Sequence, residues 1–577
     1  MDDTHLAPKK PHVLFLSAVI VGVLAGIFSW LFRMMIAFVH NAAFLGQWSV
    51  HYDANVHTPG SYLGWLIIFA PVLGGIVVVF LVKNFAPQTK GHGVPEVMFA
   101  IYHKQGIIPG HVSLVKAAAS AITIGTGGSL GREGPIVHIS AALSSFIGRI
   151  AKLSISQRNL LIACGASAGI AATFNAPLGG ILFSIELLLI SVNSRTVLAV
   201  AVSTVIAANV GHYLMGTQPA FSIPNLFDSI ENGHIAISSL LSIPLGVLIG
   251  LLSLVFIKSI YFFEEAFDRF PVNDYLKHII GMLILGILFY SVYAYFGHYY
   301  VQGVGYATIQ DVLFNLITNP LFLFFLLIAK LLATGLTIGS GGSGGVFSPS
   351  LFLGAVGGAF FASLVNTFFP QLGIEPIIFV IAGMAAMVSG ATSAPLTAAI
   401  IIYEMTLDYQ SILPVMTAVS IAYAVRRSLM KGDIYTLKLN RRGIMVPEGL
   451  EVDLKSHITL GQVQSTNIEF ASDDDVISAD KDFICVTESD HVVSIVDMTN
   501  RHIDHAVAVK DCIQRRFIIL HPSTTLTEAS IQLHMARCAL VLISKTGKSN
   551  KESIEGVVSR SHLMDALAEA TAMLGTR

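Results

Sequence analysis

The chain has 577 residues, of which 54% are hydrophobic and only 12% are charged, and its mean hydropathy is +0.70. Soluble domains carry about 25% charged residues, so this composition excludes a soluble globular protein or a disordered protein over most of the length. The formal net charge of −2 gives no reason to expect a nucleic-acid partner. Four cysteines are too few for a disulfide framework in a chain this long. We therefore predict an integral protein of the lipid bilayer that crosses it several times.

Charge is unevenly distributed along the chain. Residues 1–430 hold 34 of the charged side chains and residues 431–577 hold 36. This change predicts a transmembrane domain over residues 1–437 and a soluble domain over residues 438–577. Basic residues precede the first apolar run (Lys9 and Lys10) and follow the last one (Arg426 to Arg442). Because basic residues favour the cytoplasmic side, both termini are expected in the cytoplasm, with the protein in the cell (inner) membrane.

An internal repeat divides the apolar part, with copies at about 60–215 and 276–430. Lys116 precedes the segment Thr123–Pro135, and Lys330, 214 residues later, precedes the related segment Thr337–Pro349. Both segments read T-I-G-[TS]-G-G-S-x-G-x-x-x-P. A second pair, Ala-Pro-Leu followed by a glutamate, ends at Glu186 and at Glu404. Glycine- and proline-interrupted apolar segments at matching positions of two halves indicate broken helices and a substrate site between the repeats.

Three glycine-rich loops end in a proline that begins an apolar run: Gly91–Pro95, Gly131–Pro135 and Gly344–Pro349. Proline at the first helical position loses no hydrogen bond, so each loop predicts a helix start. The first amides of a helix lack intrahelical acceptors and carry the positive end of the helix dipole. If the three starts converge inside the membrane, they form an anion site without a full positive charge, which suits rapid passage.

Glu133 is an acid at one of these helix starts, inside an otherwise nearly uncharged segment. Its carboxylate is a tethered anion that can occupy the anion site itself, and protonation or displacement frees the site. Intramembrane acids are functional candidates by default, so Glu133 is predicted to be both gate and proton acceptor. The alternative is a helix-capping acid or an ion pair with Arg132.

The three loops, in this order and with the repeat, resemble the signatures of the CLC family of chloride channels and chloride/proton antiporters. Gly91–Pro95, Gly131–Pro135 and Gly345–Pro349 correspond to the family's GSGIP-like, GREGP and GxFxP motifs. The resemblance implies an all-α polytopic membrane protein of two inverted repeats with broken helices. It also implies a homodimer with one chloride pathway in each subunit, no enzymatic activity and no cofactor.

The resemblance also implies roles for single residues. Glu133 matches the external gating glutamate, and Tyr435 resembles the tyrosine whose hydroxyl faces the central anion. The other anion-binding positions come from the three loops: His92, Gly131, Arg132, Gly134, Gly345 and the amides of Val346 and Phe347. An interfacial aromatic anchor is the alternative interpretation of Tyr435.

Two positions depart from the family pattern. His92 stands where chloride-preferring members usually have serine, so anion transport is predicted more firmly than chloride preference, with fluoride and nitrate as the alternatives. Leu187 stands where well-characterised antiporters place a second glutamate as internal proton acceptor, directly after Glu186. Since an aliphatic side chain cannot relay a proton, a channel-like or weakly coupled transporter is favoured. The alternative is a chloride/proton antiporter that uses another internal proton route.

The soluble part resembles the paired CBS domains that follow many CLC membrane parts, with a degenerate first half. A capping box at Thr525 and Glu528 predicts a helix to about Ala536, followed by strands at 539–543 and 554–558 and a helix near 562–570. His562 stands where nucleotide-binding examples place a ribose-binding aspartate, so nucleotide binding is doubtful. The sequence thus predicts a small cytoplasmic α/β domain.

Short motifs suggest two further functions, a protease and a metal-binding protein. Ser167 and Ser343 both lie in G-x-S-x-G patterns, which keeps an intramembrane serine protease as a remote alternative. No spacing connects a histidine to either serine, so we expect no catalytic site. His502 and His505 have metal-ligand spacing but no third ligand nearby, and we expect no metal site.

Overall fold

The computed structural model describes residues 9–218, 220–223, 232–408, 410–444, 446, 458–475, 481–499 and 508–572. Eight helices in this part are long and apolar enough to cross a membrane. The first of them in chain order is α1 (Pro11–His40), which contains the predicted first apolar run. The membrane part is thus helical and polytopic, as the sequence predicted.

The two repeats have matching helices. The first contains α2 (Ala70–Phe85), α3 (Val94–His103), α4 (His111–Gly125), α5 (Glu133–Ile150), α6 (Ile155–Phe174), α7 (Pro177–Leu187) and α8 (Ser194–Met215). After α9 (Asn232–Asp268), the second contains α10 (Asp274–Phe296), α11 (Tyr306–Leu313), α12 (Pro320–Ser340), α13 (Phe347–Phe368), α14 (Pro376–Thr392), α15 (Pro395–Thr406) and α16 (Ile412–Leu429). The short helix α17 (Thr436–Asn440) follows. Since α5 and α13 begin 214 residues apart, the structure reproduces the sequence repeat.

The uncharged stretch 331–374 is broken within the repeated segment Thr337–Pro349, where the sequence indicated a broken helix. Helix α12 ends at Ser340 and α13 begins at Phe347, and the segment between them runs through the interior. Both repeats contain very close helix contacts that only glycine permits. A methyl group on Gly358 would lie 2.0 Å from the carbonyl oxygen of Phe379, so α13 and α14 pack backbone against backbone.

The described residues of the soluble part form two small sheets. The first has the order β1 (Ile468–Ala471), β2 (Phe483–Glu488), β3 (His491–Asp497), β4 (Gln514–Arg515), and the second has the order β5 (Phe517–Leu520), β6 (Leu540–Ser544), β7 (Ile554–Ser559). In each sheet a parallel pair is followed by an antiparallel strand. The helices here are α18 (Leu460–Val463), α19 (Leu526–Ala536) and α20 (Arg560–Ala572).

The predicted elements of the second soluble half are confirmed. Thr525 caps α19 by accepting a hydrogen bond from the Glu528 amide (3.3 Å), and the two strands and the last helix lie within a few residues of their predicted positions. His562 packs its ring edge-on against Phe483 of the first sheet. The domain limits at 437 and 438 stay a prediction.

Candidate functional site

The three glycine-rich loops meet in the interior of the membrane part. Gly131 and Gly345 exchange two backbone hydrogen bonds of 2.7 Å, so the loops before α5 and α13 run side by side. The Gly91 amide donates to the carbonyl of Gly342 at 3.1 Å, which joins the loop before α3 to the same cluster. The predicted convergence of these helix starts is therefore present.

Glycine is required where the loops touch. A methyl group on Gly134 would lie 2.3 Å from the carbonyl oxygen of His92 and 2.9 Å from the Cα of Gly345. Gly93 has φ +91° and ends the first loop in a conformation that other residues rarely adopt. The helix N-termini come together because these positions have no side chains.

Glu133 is buried at this junction, with 2% of its surface exposed. Its carboxylate accepts a hydrogen bond of 2.6 Å from the Tyr306 hydroxyl, and the Ser348 hydroxyl lies 2.7 and 2.8 Å from its two oxygens. Ser348 belongs to the first turn of α13, so the carboxylate lies beside that helix N-terminus. The carboxyl group of Glu133 therefore already occupies the place where an anion would be stabilised.

Tyr306 and Ser348 were missed by the sequence analysis, although the sequence contains a signal for Tyr306. Tyr306 is the first residue of α11 and follows Gly303-Val304-Gly305, just as Val94 begins α3 after Gly91-His92-Gly93. Aligning this G-x-G pattern between the repeats would have placed Tyr306 at a pathway-facing helix start. Only the folded chain brings its hydroxyl to the carboxylate of Glu133.

Arg132 and Glu133 form an ion pair only at the distance limit of such a contact. Its Nε atom lies 4.0 Å from a Glu133 oxygen, and its guanidinium lies 5.3 Å from the centre of the Tyr306 ring. The same side chain lines a cavity of about 310 Å³, together with Arg33, Asp53, His212 and Tyr306. This cavity reaches Tyr306, so it leads to the residue that holds the Glu133 carboxylate.

The proposed anion ligands have free hydrogen-bonding capacity. In the described part of the chain, the amides of Val346 and Phe347 donate to no other element, as expected for the first amides of a helix. The His92 ring is completely buried, and neither of its nitrogens has a hydrogen-bond partner there. Buried polar groups are normally paired, so an unpaired imidazole at a helix start is consistent with a ligand site.

Tyr435 lies in a loop that is tightly held. The Asp433 carboxylate accepts hydrogen bonds from the amides of Tyr435 (2.7 Å) and Thr436 (2.9 Å), and the Ile434 amide donates to Ala391 of α14 at 2.9 Å. The Tyr435 side chain is 2% exposed. A buried side chain on a fixed loop does not fit the alternative of an interfacial aromatic anchor.

Lys116 and Lys330 lie at matching positions of the two repeats, and each binds the backbone of a loop that precedes a helix. Lys116 donates to the carbonyl oxygens of Thr89 (2.9 Å) and Gly91 (2.6 Å) in the loop before α3. Lys330 donates to the carbonyls of Val301 and Gly303, each at 3.2 Å, in the loop before α11. Both lysines are fully buried, and both hold the loop that precedes a short broken helix.

Leu187 ends α7 and is 5% exposed. The carboxylate of its neighbour Glu186 accepts hydrogen bonds from the amides of Leu396 (3.0 Å) and Thr397 (2.7 Å) at the start of α15. The acid beside Leu187 is therefore engaged in joining the two repeats.

The candidate protease serines do not form catalytic pairs. Ser167 contacts Ser184, and Ser343 binds Lys116 (3.0 Å) and donates to the Thr89 carbonyl (2.8 Å). Among the described residues, no histidine forms a hydrogen bond with either serine. The same residues contain no cluster of histidine, cysteine or acidic side chains that could hold a metal, and His502 and His505 lie outside them.

Comparison with known proteins identifies the family. Residues 74–427 match the family described as "Voltage gated chloride channel". The H(+)/Cl(−) exchange transporter ClcA of Yersinia pseudotuberculosis is 32% identical over 417 residues, which are 71% of this chain and 83% of that protein. The chain therefore belongs to the CLC family, whose members are chloride channels and transporters rather than enzymes.

Solved structures share the fold. The structure of a slow cyanobacterial Cl−/H+ antiporter is 25% identical, has a TM-score of 0.65 and aligns with 74% of this chain and 98% of its own. A eukaryotic CLC transporter is 19% identical with a TM-score of 0.64, and aligns with 95% of this chain and 98% of its own. The predicted fold class is confirmed, including a small C-terminal α/β domain. The family match ends at residue 427, so the CBS assignment stays a prediction.

Proposed function

We propose that this protein moves chloride across a membrane through a pathway gated by Glu133, in exchange for protons. The observation that carries the gate assignment is the position of the Glu133 carboxylate. It lies in the junction of the helix N-termini and is held there by Tyr306 and Ser348. A protonated carboxyl loses its attraction to the helix N-terminus, so protonation opens the pathway and loads a proton in one step.

The anion ligands in this proposal are the groups left without partners around the junction. The amides of Val346 and Phe347, the His92 ring and the Tyr435 hydroxyl are the donors that coordinate chloride. Gly131, Gly134 and Gly345 allow the backbone to approach it, and Arg132 attracts anions from the cavity beside Tyr306. Chloride is the expected substrate, since the Yersinia transporter and the cyanobacterial antiporter are both named for chloride.

Exchange is proposed because relatives of this chain are named or described as proton-coupled. The exchange transporter of Yersinia and the cyanobacterial antiporter both carry that description. Exchange requires an internal proton route that avoids position 187, because Leu187 cannot take a proton. A channel-like or weakly coupled transporter is the second candidate, and the apolar Leu187 is the observation that favours it.

The assembly proposed is a homodimer in the cell (inner) membrane with both termini in the cytoplasm. Lys9, which precedes α1, lies in a cavity of about 620 Å³ together with Thr525 and Glu528 of the soluble domain. The start of α1 and the soluble domain therefore lie on the same face of the protein, which supports a common side for both termini. We propose that the soluble domain is a CBS-like pair that binds no nucleotide.

The test is a simultaneous recording of chloride efflux and external pH from liposomes that contain the purified protein. Under an outward chloride gradient, we expect chloride efflux with uphill proton movement. Chloride efflux without protons would establish the second candidate instead. In that case Leu187→Glu tests whether an internal acid restores coupling. No movement of chloride would contradict the proposed function, and fluoride and nitrate would then be tested.

A further inference from the structure

Lys438 is a buried lysine whose charge has no close partner. It lies on α17, three residues after Tyr435, and only 9% of its surface is exposed. Its ammonium forms no hydrogen bond or ion pair among the described residues, whereas the buried Lys116 and Lys330 each donate to backbone carbonyls. Burying an unpaired charge costs desolvation free energy. We therefore expect a partner of opposite charge at the Lys438 ammonium.

The ammonium group points at the loop before α3. A methyl group on Gly91 would lie 2.7 Å from the Lys438 Nζ atom, so this atom is close to the Gly91 backbone. Helix α17 packs against α3, and α3 in turn packs against α19 of the soluble domain. Lys438 thus lies at the end of the pathway that faces the soluble domain.

His92, the next residue after Gly91, supplies a second polar group without a partner. Both nitrogens of its buried ring lack hydrogen bonds in the described structure, and Lys438 is one of the cations that act on this ring. The Lys438 ammonium lies beside Gly91 and the His92 imidazole follows Gly91 in the chain, so two polar groups without described partners belong to the same helix start. Both are donors that a small anion can satisfy together.

The acids around Lys438 do not neutralise it. The negative charges that act on Lys438 belong to Glu264 and Glu96, but neither carboxylate is within the 4.0 Å of an ion pair. Glu96 is bound instead by Arg442, at 2.8 Å. A positive charge therefore remains available at the loop before α3.

We propose that Lys438 and His92 together bind the transported anion at the end of the pathway that faces the soluble domain. This inference rests on the proposed function, since it concerns the same pathway. Helix N-termini provide only partial charges, whereas Lys438 provides a full one. The anion is therefore held more tightly and released more slowly here than by amides alone, which makes Lys438 a determinant of anion affinity and turnover.

The test is calorimetric titration of chloride into the purified full-length protein, compared among four variants. Lys438→Met and Lys438→Gln remove the charge and are expected to weaken chloride binding roughly tenfold or more. Lys438→Arg keeps the charge and is expected to keep most of the affinity. Lys431→Met removes an exposed lysine from the preceding loop and is expected to bind chloride like the wild type.

Flux measurements on the same proteins separate a binding role from a structural one. With chloride varied on the side of the soluble domain, the neutral variants are expected to need a higher chloride concentration for half-maximal flux, with an undiminished maximal rate. Unchanged affinity in both neutral variants would overturn the inference, as would an equal loss in Lys431→Met. A wild-type protein that moves no chloride would contradict the proposed function itself, which is a different outcome.

Discussion

Glu186 and Glu404 cap helices in each other's repeat. The Glu186 carboxylate accepts hydrogen bonds from the first amides of α15, and the Glu404 carboxylate accepts hydrogen bonds from the amides of Leu178 (3.0 Å) and Gly179 (2.7 Å) at the start of α7. Each acid lies nine residues after the proline of its own repeat. The structure therefore converts a sequence repeat into two equivalent contacts that join the halves.

We expect Glu186→Ala and Glu404→Ala to destabilise the protein by similar amounts, about 3 kcal/mol each. Each change leaves backbone amides at a helix start without their acceptor. The measurement is the midpoint of thermal unfolding in detergent. Glu552→Ala, at an exposed position of the soluble domain, is the control and should leave the midpoint unchanged. A loss in only one of the two variants would show that the contacts are not equivalent.

Glu133→Gln should abolish proton movement and the pH dependence of transport while chloride flux persists. Glutamine cannot carry the charge that competes with the anion or accept the proton. Chloride efflux and external pH are recorded together from liposomes at several pH values. Glu488→Gln, in the exposed part of the soluble domain, is the matched control. Unchanged pH dependence in Glu133→Gln would exclude Glu133 as the gate.

Tyr306→Phe should make the gate open at higher external pH. The hydroxyl of Tyr306 donates to the Glu133 carboxylate at 2.6 Å, and this hydrogen bond stabilises the charged, closed form. Removing it is expected to move the pH of half-maximal chloride flux upward by about one unit. Tyr213→Phe, at a side chain that is 90% exposed, should leave that pH where it is. A profile that coincides with the wild type would show that Tyr306 does not hold the gate.

Glu528→Gln should stabilise α19 at neutral and alkaline pH. Burial raises the pKa of the Glu528 carboxyl from 4.5 to about 7, because the charged form is poorly solvated in the protein. An acid whose pKa is raised by folding does not lower the free energy of unfolding at pH values well below its unfolded pKa, because it is then protonated in both states. The cost grows between pH 4.5 and 7 and is complete above pH 7, where it reaches about 3 kcal/mol.

Hydrogen exchange of the α19 amides in the full-length protein measures this effect. At pH 8 the amides of Glu528→Gln are expected to exchange more slowly than those of the wild type. Well below pH 4.5 the two proteins are expected to exchange alike, because the carboxyl is then protonated in both states. Equal exchange at both pH values would show that the buried carboxyl carries no such cost.

Local sequence predicted the helix starts well because glycine and proline act within a few residues. The loops at Gly91, Gly131 and Gly344 lead into helices that begin one or two residues before the proline expected to start them, and the interruption after Ser340 is present. The Thr525 hydroxyl likewise caps the start of α19 through one of the two hydrogen bonds of the predicted capping box. These features depend on backbone conformation and on hydrogen bonds inside one turn, so neighbouring residues are sufficient to predict them.

Partners that are distant in sequence were not predictable in the same way. Tyr306 and Ser348 lie 173 and 215 residues from Glu133, and no local pattern indicates that their hydroxyls reach its carboxylate. Adjacent opposite charges were also an uncertain guide, since the alternative of an ion pair between Arg132 and Glu133 is met only at the 4.0 Å limit. Side-chain direction at a helix start decides such contacts, and the fold sets that direction.

The sequence by itself determined the class of protein, the repeat and the places where helices break, because composition, periodicity and glycine–proline spacing are properties of the chain alone. The tertiary structure decided which groups meet. It placed Glu133 between Tyr306 and Ser348, and it left the Lys438 ammonium beside Gly91 without a partner among the residues that the structure describes. The physical reason is that hydrogen bonds and ion pairs extend only about 3–4 Å. Their partners are therefore selected by how the two repeats pack together.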